Sequence, residues 1–217
     1  MIFLSTVGAS LFADFLPLLP KQILLLNLLS DLPAVALSAD RVDDELVARP
    51  VRWNMRELAT GMTVFGIISS FFDYLTFGVL LSLGASPPIF RTGWFLESVI
   101  SEVLVLTTLR TRYLFWRSRI GRPLFWLGAI VIFIAVVLTY SRFANAFGFI
   151  WLPGSFVSPL FMILTGYLIR TELAKIFLFK QKRLNRLRKV VGSYAGKHAR
   201  AFQFKRLSLD AVRSTGA

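Results

Sequence analysis

The chain has 217 residues, of which 55% are hydrophobic, and its mean hydropathy is +0.64. Such apolarity is too high for an ordinary soluble domain and indicates a membrane protein. The net charge of +13 is then explained by basic loops and a basic tail, so we expect no nucleic-acid partner. The absence of cysteine excludes disulfides, cysteine metal sites and thiol catalysis.

In chain order, the sequence first predicts the end of a helix whose beginning is absent, from Met1 to about Phe12, and then a turn with two prolines at residues 14–20. Five full membrane spans follow, since a bilayer core needs about 20 mostly apolar residues per helix. We place them at residues 22–38, 58–83, 93–109, 123–140 and 156–177. The predicted fold is all-α: a polytopic membrane helix bundle of five full spans plus an N-terminal partial helix.

Basic residues predict the orientation of these spans in the bilayer. Arginines concentrate in the segments at residues 40–57 and 110–122, and residues 180–217 hold eleven Lys and Arg residues. Because short cytoplasmic loops are rich in Lys and Arg, both segments and the C-terminus are expected in the cytosol. We therefore predict a membrane domain at 1–179 and a basic cytosolic tail at 180–217. The tail is either an amphipathic helix on an anionic leaflet or a loosely ordered segment.

The first full span contains an amide, a hydroxyl and a carboxylate: Asn27, Ser30 and Asp31. Spacings of three and four place them on one helical face, and oxygen is the ligand that Mg²⁺ and Ca²⁺ prefer. An ionisable side chain at membrane depth is costly and indicates a functional site. Pro33 follows, and we expect it to break the helical hydrogen-bond ladder near residues 29–31.

Other polar residues in the predicted spans are assigned less directly. Glu102 lies near mid-span, and Glu97 lies closer to the outer face, where it could be only interfacial. Asp73 is expected to make a structural hydrogen bond. Tryptophans near span ends are expected at the membrane interface, namely Trp94, Trp126 and Trp151.

Several segments in order resemble the C-terminal membrane half of cation-transporting P-type ATPases. Residues 17–31 (PLLPKQILLLNLLSD) resemble the turn after transmembrane helix five and the start of helix six. Residues 32–37, 40–44 and 48–50 resemble the rest of helix six and the following loop, and residues 90–112 resemble helix eight with its arginine-rich exit. The likeness covers about residues 3 to 180 and is greatest to the bacterial magnesium-transporting branch.

This resemblance implies a region from late helix five to helix ten and a transported divalent cation, with Mg²⁺ favoured. Its cation ligands would be Asn27, Ser30 and Asp31, with Glu102 as a further ligand and Glu97 as a weaker candidate. The implied partners are the lipid bilayer and the missing N-terminal, catalytic half of a pump, and the implied location is a bacterial plasma membrane.

The sequence departs from the family because it contains no D-K-T-G-T phosphorylation motif, no T-G-E-S motif and no nucleotide-binding segment. Phosphoryl transfer needs these parts together, so we expect no enzymatic activity from this chain alone and no cofactor in it. It would be a truncated product, a remnant or one piece of a split pump that supplies half of a cation pathway. The alternative is a stand-alone membrane accessory or cation-binding protein without transport activity.

Overall fold

The computed structural model describes residues 2–12, 14–38, 55–110 and 121–178, and within these ranges the regular structure is entirely helical. The helices are α1 (Ile2–Phe12), α2 (Pro20–Ser38), α3 (Met55–Ser82), α4 (Pro87–Leu109), α5 (Arg122–Tyr140), α6 (Ala144–Phe147) and α7 (residues 154–178). The all-α prediction is confirmed for this part of the chain. The basic tail and most of both arginine-rich segments lie outside the described residues.

Two of the described helices are long and apolar enough to cross a bilayer: Ala59–Ser82 within α3, and α5. The remaining helices of the five predicted spans are α2, α4 and α7, each of which carries charged side chains along its length. Their crossing of the membrane stays a prediction, as does the division of the chain at residue 179.

Prolines mark the first turn of two helices. Proline occupies the first turn of α4 and of α5, where its missing N–H costs nothing because that N–H has no intrahelical partner. α4 accordingly begins at Pro87. The predicted start at residue 93 is later, because Arg91 interrupts the apolar pattern of the sequence. α3 ends just before Gly84, whose φ of 71° allows the chain to turn back toward α4.

The expected gap in the hydrogen-bond ladder at Pro33 does not end α2, which runs as one helix from Pro20 to Ser38. Proline removes the single hydrogen bond that its N–H would have donated to the carbonyl four residues earlier. Pro33 itself is buried in the bundle. Neighbouring helices commonly stabilise such a proline in a membrane helix, since packing replaces part of the lost bond.

The bundle core forms around α4, which packs against α2, α3 and α5. At its centre the Trp94 ring meets Phe77 edge-on, with ring centroids 4.6 Å apart, and Phe90 packs beside both. Trp94 is fully buried, so its predicted interfacial position is wrong. Trp126 and Trp151 are exposed, and their interfacial position stays a prediction.

Hydrogen bonds fix the start of α2 to the end of α6. The buried Gln22 amide donates to the carbonyl of Phe147 at 3.0 Å, and its Oε1 accepts from the Leu19 N–H at 2.9 Å. The adjacent Lys21 ammonium donates to the Ala146 carbonyl at 2.5 Å. These bonds satisfy backbone groups that lie at helix ends, and they hold the first turn of α2 in place.

Candidate cation site

The oxygen-bearing residues of α2 lie on and beside one exposed face of that helix. Asn27 and Asp31 are exposed, whereas Ser30 is half-buried at the edge of the bundle. The Ser30 hydroxyl donates a hydrogen bond to Oε2 of Glu102 on α4. Two of the predicted ligands, Ser30 and Glu102, are therefore in direct contact across the α2–α4 interface.

Glu102 is half-buried and lies within electrostatic reach of Asp31. The two carboxyl groups thus flank the Ser30 hydroxyl on neighbouring helices. Asn27 lies one helical turn before Asp31 on the same face of α2. Asn27, Ser30 and Asp31 thus lie along one side of α2, and Glu102 of α4 meets this side at Ser30.

The exposed face of α2 is otherwise apolar. Leu24 (72% exposed), Leu28 (60%) and Val35 (69%) lie on the same side of the helix as Asn27 and Asp31. A carboxylate facing hydrocarbon is costly and is almost always turned toward protein or a water-filled cavity. The exposed face of α2 thus combines one carboxylate and one amide with large apolar side chains.

Glu97 does not join this group. It precedes Glu102 by five residues, which corresponds to a rotation of about 140° around a helix with 3.6 residues per turn. Its side chain is only 1% exposed and contacts the carboxyl group of Asp73 on α3. Glu97 is therefore neither interfacial nor close to Ser30, and the geometry separates it from the other predicted ligands.

Asp73 is hydrogen-bonded, as expected from the sequence. It accepts from the Ser5 hydroxyl of α1 at 2.5 Å and from the Trp94 indole N–H of α4 at 3.1 Å. Sequence reasoning missed Ser5, whose only signal is a hydroxyl within an apolar helix. It also missed the role of Trp94, because a tryptophan near a predicted span end is typical of an interfacial residue.

The chemistry of the α2–α4 group suits a hydrated hard cation. Mg²⁺ is commonly bound through one or two carboxylates while it keeps several waters, and Asp31 and Glu102 supply two. Within the described residues, no three Asp, Glu or His side chains come together as a metal cage. The group could thus form part of a cation's coordination shell, with the remaining ligands from water or from another segment.

Comparison with known families identifies the family of this chain. The model of the family described as "Cation transporting ATPase, C-terminus" matches residues 15–177. The chain belongs to this family. The matched region contains all of α2 to α6, and hence every residue of the candidate cation site.

Individual relatives agree with this assignment and with its magnesium-transporting branch. The chain is 38% identical over 179 residues to "Magnesium-transporting ATPase, P-type 1" of Salmonella typhimurium, which covers 80% of this chain and 20% of the relative. The Escherichia coli protein of the same name is 37% identical over the same share of both chains. A second Salmonella typhimurium protein of that name is 30% identical over 82% of this chain and 20% of its own length.

The chain thus spans about a fifth of the length of these relatives. The prediction of a P-type ATPase C-terminal region in the magnesium-transporting branch is confirmed. The individual site residues stay predictions.

Proposed function

We propose that this chain forms the C-terminal membrane portion of a magnesium-transporting P-type ATPase and supplies one wall of its cation pathway. Asn27, Ser30, Asp31 and Glu102 would contact the passing Mg²⁺, which is the transported substrate. Glu97 is not included, because it is buried against Asp73. The membrane would be the bacterial plasma membrane, with the C-terminus in the cytosol.

The observation that carries this proposal is Asp31 on the uncovered face of α2. Its carboxylate is exposed between apolar side chains, next to the hydrogen-bonded Ser30 and Glu102 of the bundle. Such a face is costly against lipid but favourable against a second protein wall that encloses a polar path. The remaining four-fifths of a pump like the Salmonella typhimurium relative could supply that wall.

The Ser30–Glu102 hydrogen bond gives this wall a defined starting geometry. Ser30 holds one oxygen of Glu102 toward α2, on the side where Asp31 lies. A cation that arrives between Asp31 and Glu102 offers both carboxylates a stronger partner than the neutral hydroxyl. Its binding would relieve the repulsion between the two negative charges. Phosphoryl transfer would come from the rest of the pump, since this chain is not expected to perform it.

A chimera tests the proposal directly. The matched fifth of the Salmonella typhimurium relative is replaced by this chain, and Mg²⁺ uptake is measured in cells that lack their own uptake systems. Asp31→Asn keeps the size of the side chain but removes its charge. We expect the uptake rate to fall by about tenfold or more, since a tenfold change corresponds to only about 1.4 kcal/mol.

Asp14→Asn is the matched control, because Asp14 is an exposed aspartate in the turn before α2. It should leave uptake unchanged. A chimera that is inserted in the membrane but inactive, or one in which Asp31→Asn transports as well as the parent, would refute the proposed role. Co-expression of this chain with the upstream four-fifths as a separate polypeptide then tests whether two pieces suffice for uptake.

A further inference from the structure

A second group of polar residues lies inside the bundle, away from the candidate cation site. It joins three helices: Ser5 of α1, Asp73 of α3, and Trp94 with Glu97 of α4. All four residues are buried, and Ser5 and Trp94 are fully so. Two carboxyl groups in contact at such a place need a counter-ion or a proton, since two adjacent buried negative charges are strongly unfavourable.

Lys, Arg and His do not supply that counter-ion in the described ranges. The buried ion pair between Lys175 and Glu172 involves neither Asp73 nor Glu97. The other titratable side chains within electrostatic reach are Tyr167 of α7 and Glu102 of α4. Tyr167 is held by Ser69 at 2.9 Å, and neither of these side chains is a cation. The terminal amino group exerts only a weak, long-range attraction on Asp73. The direct donors to the pair, Ser5 and Trp94, are neutral.

The hydrogen bonds distinguish the two carboxyl groups. Both oxygens of Asp73 accept: Oδ2 from the Ser5 hydroxyl and Oδ1 from the Trp94 indole N–H. In contrast, Oε2 of Glu97 has no hydrogen-bond partner among the described residues, although it is buried. An unpartnered oxygen in a dry interior costs far less on a neutral carboxylic acid than on a carboxylate.

We propose that Asp73 and Glu97 form a buried proton-binding site that holds one proton on Glu97. The Glu97 hydroxyl donates to the Asp73 carboxylate, which also accepts from Ser5 and Trp94, so that the group carries a single negative charge. Three donors on one carboxylate satisfy that charge within the bundle. The site is distinct from the Asp31–Glu102 group and does not depend on the proposed transport of Mg²⁺.

A divalent cation is the competing ligand for the same carboxyl pair. Mg²⁺ demands near-octahedral coordination and gives up its waters reluctantly, whereas this pair is buried beside Trp94, whose ring packs against Phe77 and Phe90. Both Asp73 oxygens already accept from protein donors. The proton fits this environment better, and the experiments below separate the two ligands.

Neutral isosteres of the two residues should behave differently in the full chain, purified in lipid nanodiscs. Glu97→Gln replaces the proposed acid by an amide whose N–H can still donate to Asp73, so its melting temperature should stay within about 2 °C of the parent. Asp73→Asn offers one acceptor oxygen where three donors converge, and should lower the melting temperature by about 5 °C or more. Equal effects, or a larger loss for Glu97→Gln, would overturn the assignment of the proton to Glu97.

Infrared spectroscopy reads the proton itself. At neutral pH, the difference spectrum between the parent and Glu97→Gln should contain the C=O stretching band of a protonated carboxylic acid, shifted to lower frequency in D₂O. The same band should persist in Asp14→Asn, which alters an exposed carboxylate. Loss of a carboxylate band instead would overturn the proposal. A band that disappears on addition of MgCl₂ would also overturn it, and would assign the pair to a metal cation.

Discussion

The hydroxyl of Ser5 offers a sharp test of how α1 is held to the bundle. Ser5 is fully buried, and its Oγ lies 2.5 Å from Oδ2 of Asp73 on α3. Ser5→Ala removes this one bond and almost no volume, so cavity formation contributes little. Interhelical hydrogen bonds in a membrane protein contribute about 0.6 kcal/mol on average and up to about 1.7 kcal/mol. A charged acceptor roughly doubles the strength of such a bond.

Because Trp94 still donates to the other oxygen of Asp73, the carboxylate does not lose all its donors and the upper limit is not reached. We therefore expect Ser5→Ala to lower the free energy of unfolding by about 1.5 kcal/mol, which is about a tenfold change in the equilibrium constant. The assay is reversible unfolding of the full chain in mixed micelles of increasing denaturing-detergent content.

Ser10→Ala on the same helix is the control. Ser10 is exposed, and its hydroxyl donates only to the Thr6 carbonyl one turn earlier, at 2.7 Å. Its substitution should change the unfolding free energy by no more than about 0.5 kcal/mol. If Ser5→Ala were no more destabilising than Ser10→Ala, the reasoning that this bond joins α1 to α3 would be refuted.

Two further substitutions test the ends of the bundle in the same unfolding assay. Lys175→Met removes the positive charge that lies 2.9 Å from Glu172 in a buried ion pair, and should lower the free energy of unfolding by about 3–5 kcal/mol. Arg170→Met, at an exposed position of the same helix, should lower it by no more than about 0.5 kcal/mol. Similar losses for the two variants would contradict the pairing. Gly148→Ala should cost more than Gly84→Ala. Both glycines have positive φ (77° and 71°), where a side chain costs about 1–2 kcal/mol. Only at Gly148 would the new Cβ also meet another side chain, at 2.9 Å, whereas Gly84 has open space. A smaller loss at Gly148 would show that this contact relaxes freely.

Helix positions follow closely from the sequence where the apolar run is unbroken. The predicted span at residues 123–140 corresponds to α5, Arg122–Tyr140, and prolines mark its start and that of α4. The sequence-based expectations differ from the structure where the same residue type is found in two structural settings. Pro33 removes one backbone bond but does not end α2, because the bundle packs around it. Trp94 is of a residue type that is common at the membrane interface, but its ring packs against Phe77 and its N–H donates to Asp73 inside the bundle.

For the candidate cation site, the sequence predicts which residues take part but not how they contact one another. Spacing places Asn27, Ser30 and Asp31 along one side of a helix, but it does not say which face of α4 meets them. The contact between Ser30 and Glu102 needs the packing of α2 on α4. The five-residue interval from Glu97 to Glu102 does indicate that these two carboxyl groups lie on different faces of one helix, because it corresponds to a rotation of about 140°. The partner of Glu97 could not be predicted, because it depends on how α3 packs against α4.

The bonds that fix Lys21 and Gln22 to the end of α6 and to Gly148 anchor α2 at its first turn. A helix that tilts about its first turn moves least there and most at its opposite end. At 1.5 Å per residue, Asp31 lies about 14 Å from Gln22 along the axis and Ser38 about 24 Å. A tilt of about 5° would therefore displace Asp31 by about 1 Å and the end of the helix by about 2 Å. Removing the hydrogen bonds of the Gln22 amide would release this first turn while leaving the side chains of Asn27, Ser30 and Asp31 unchanged.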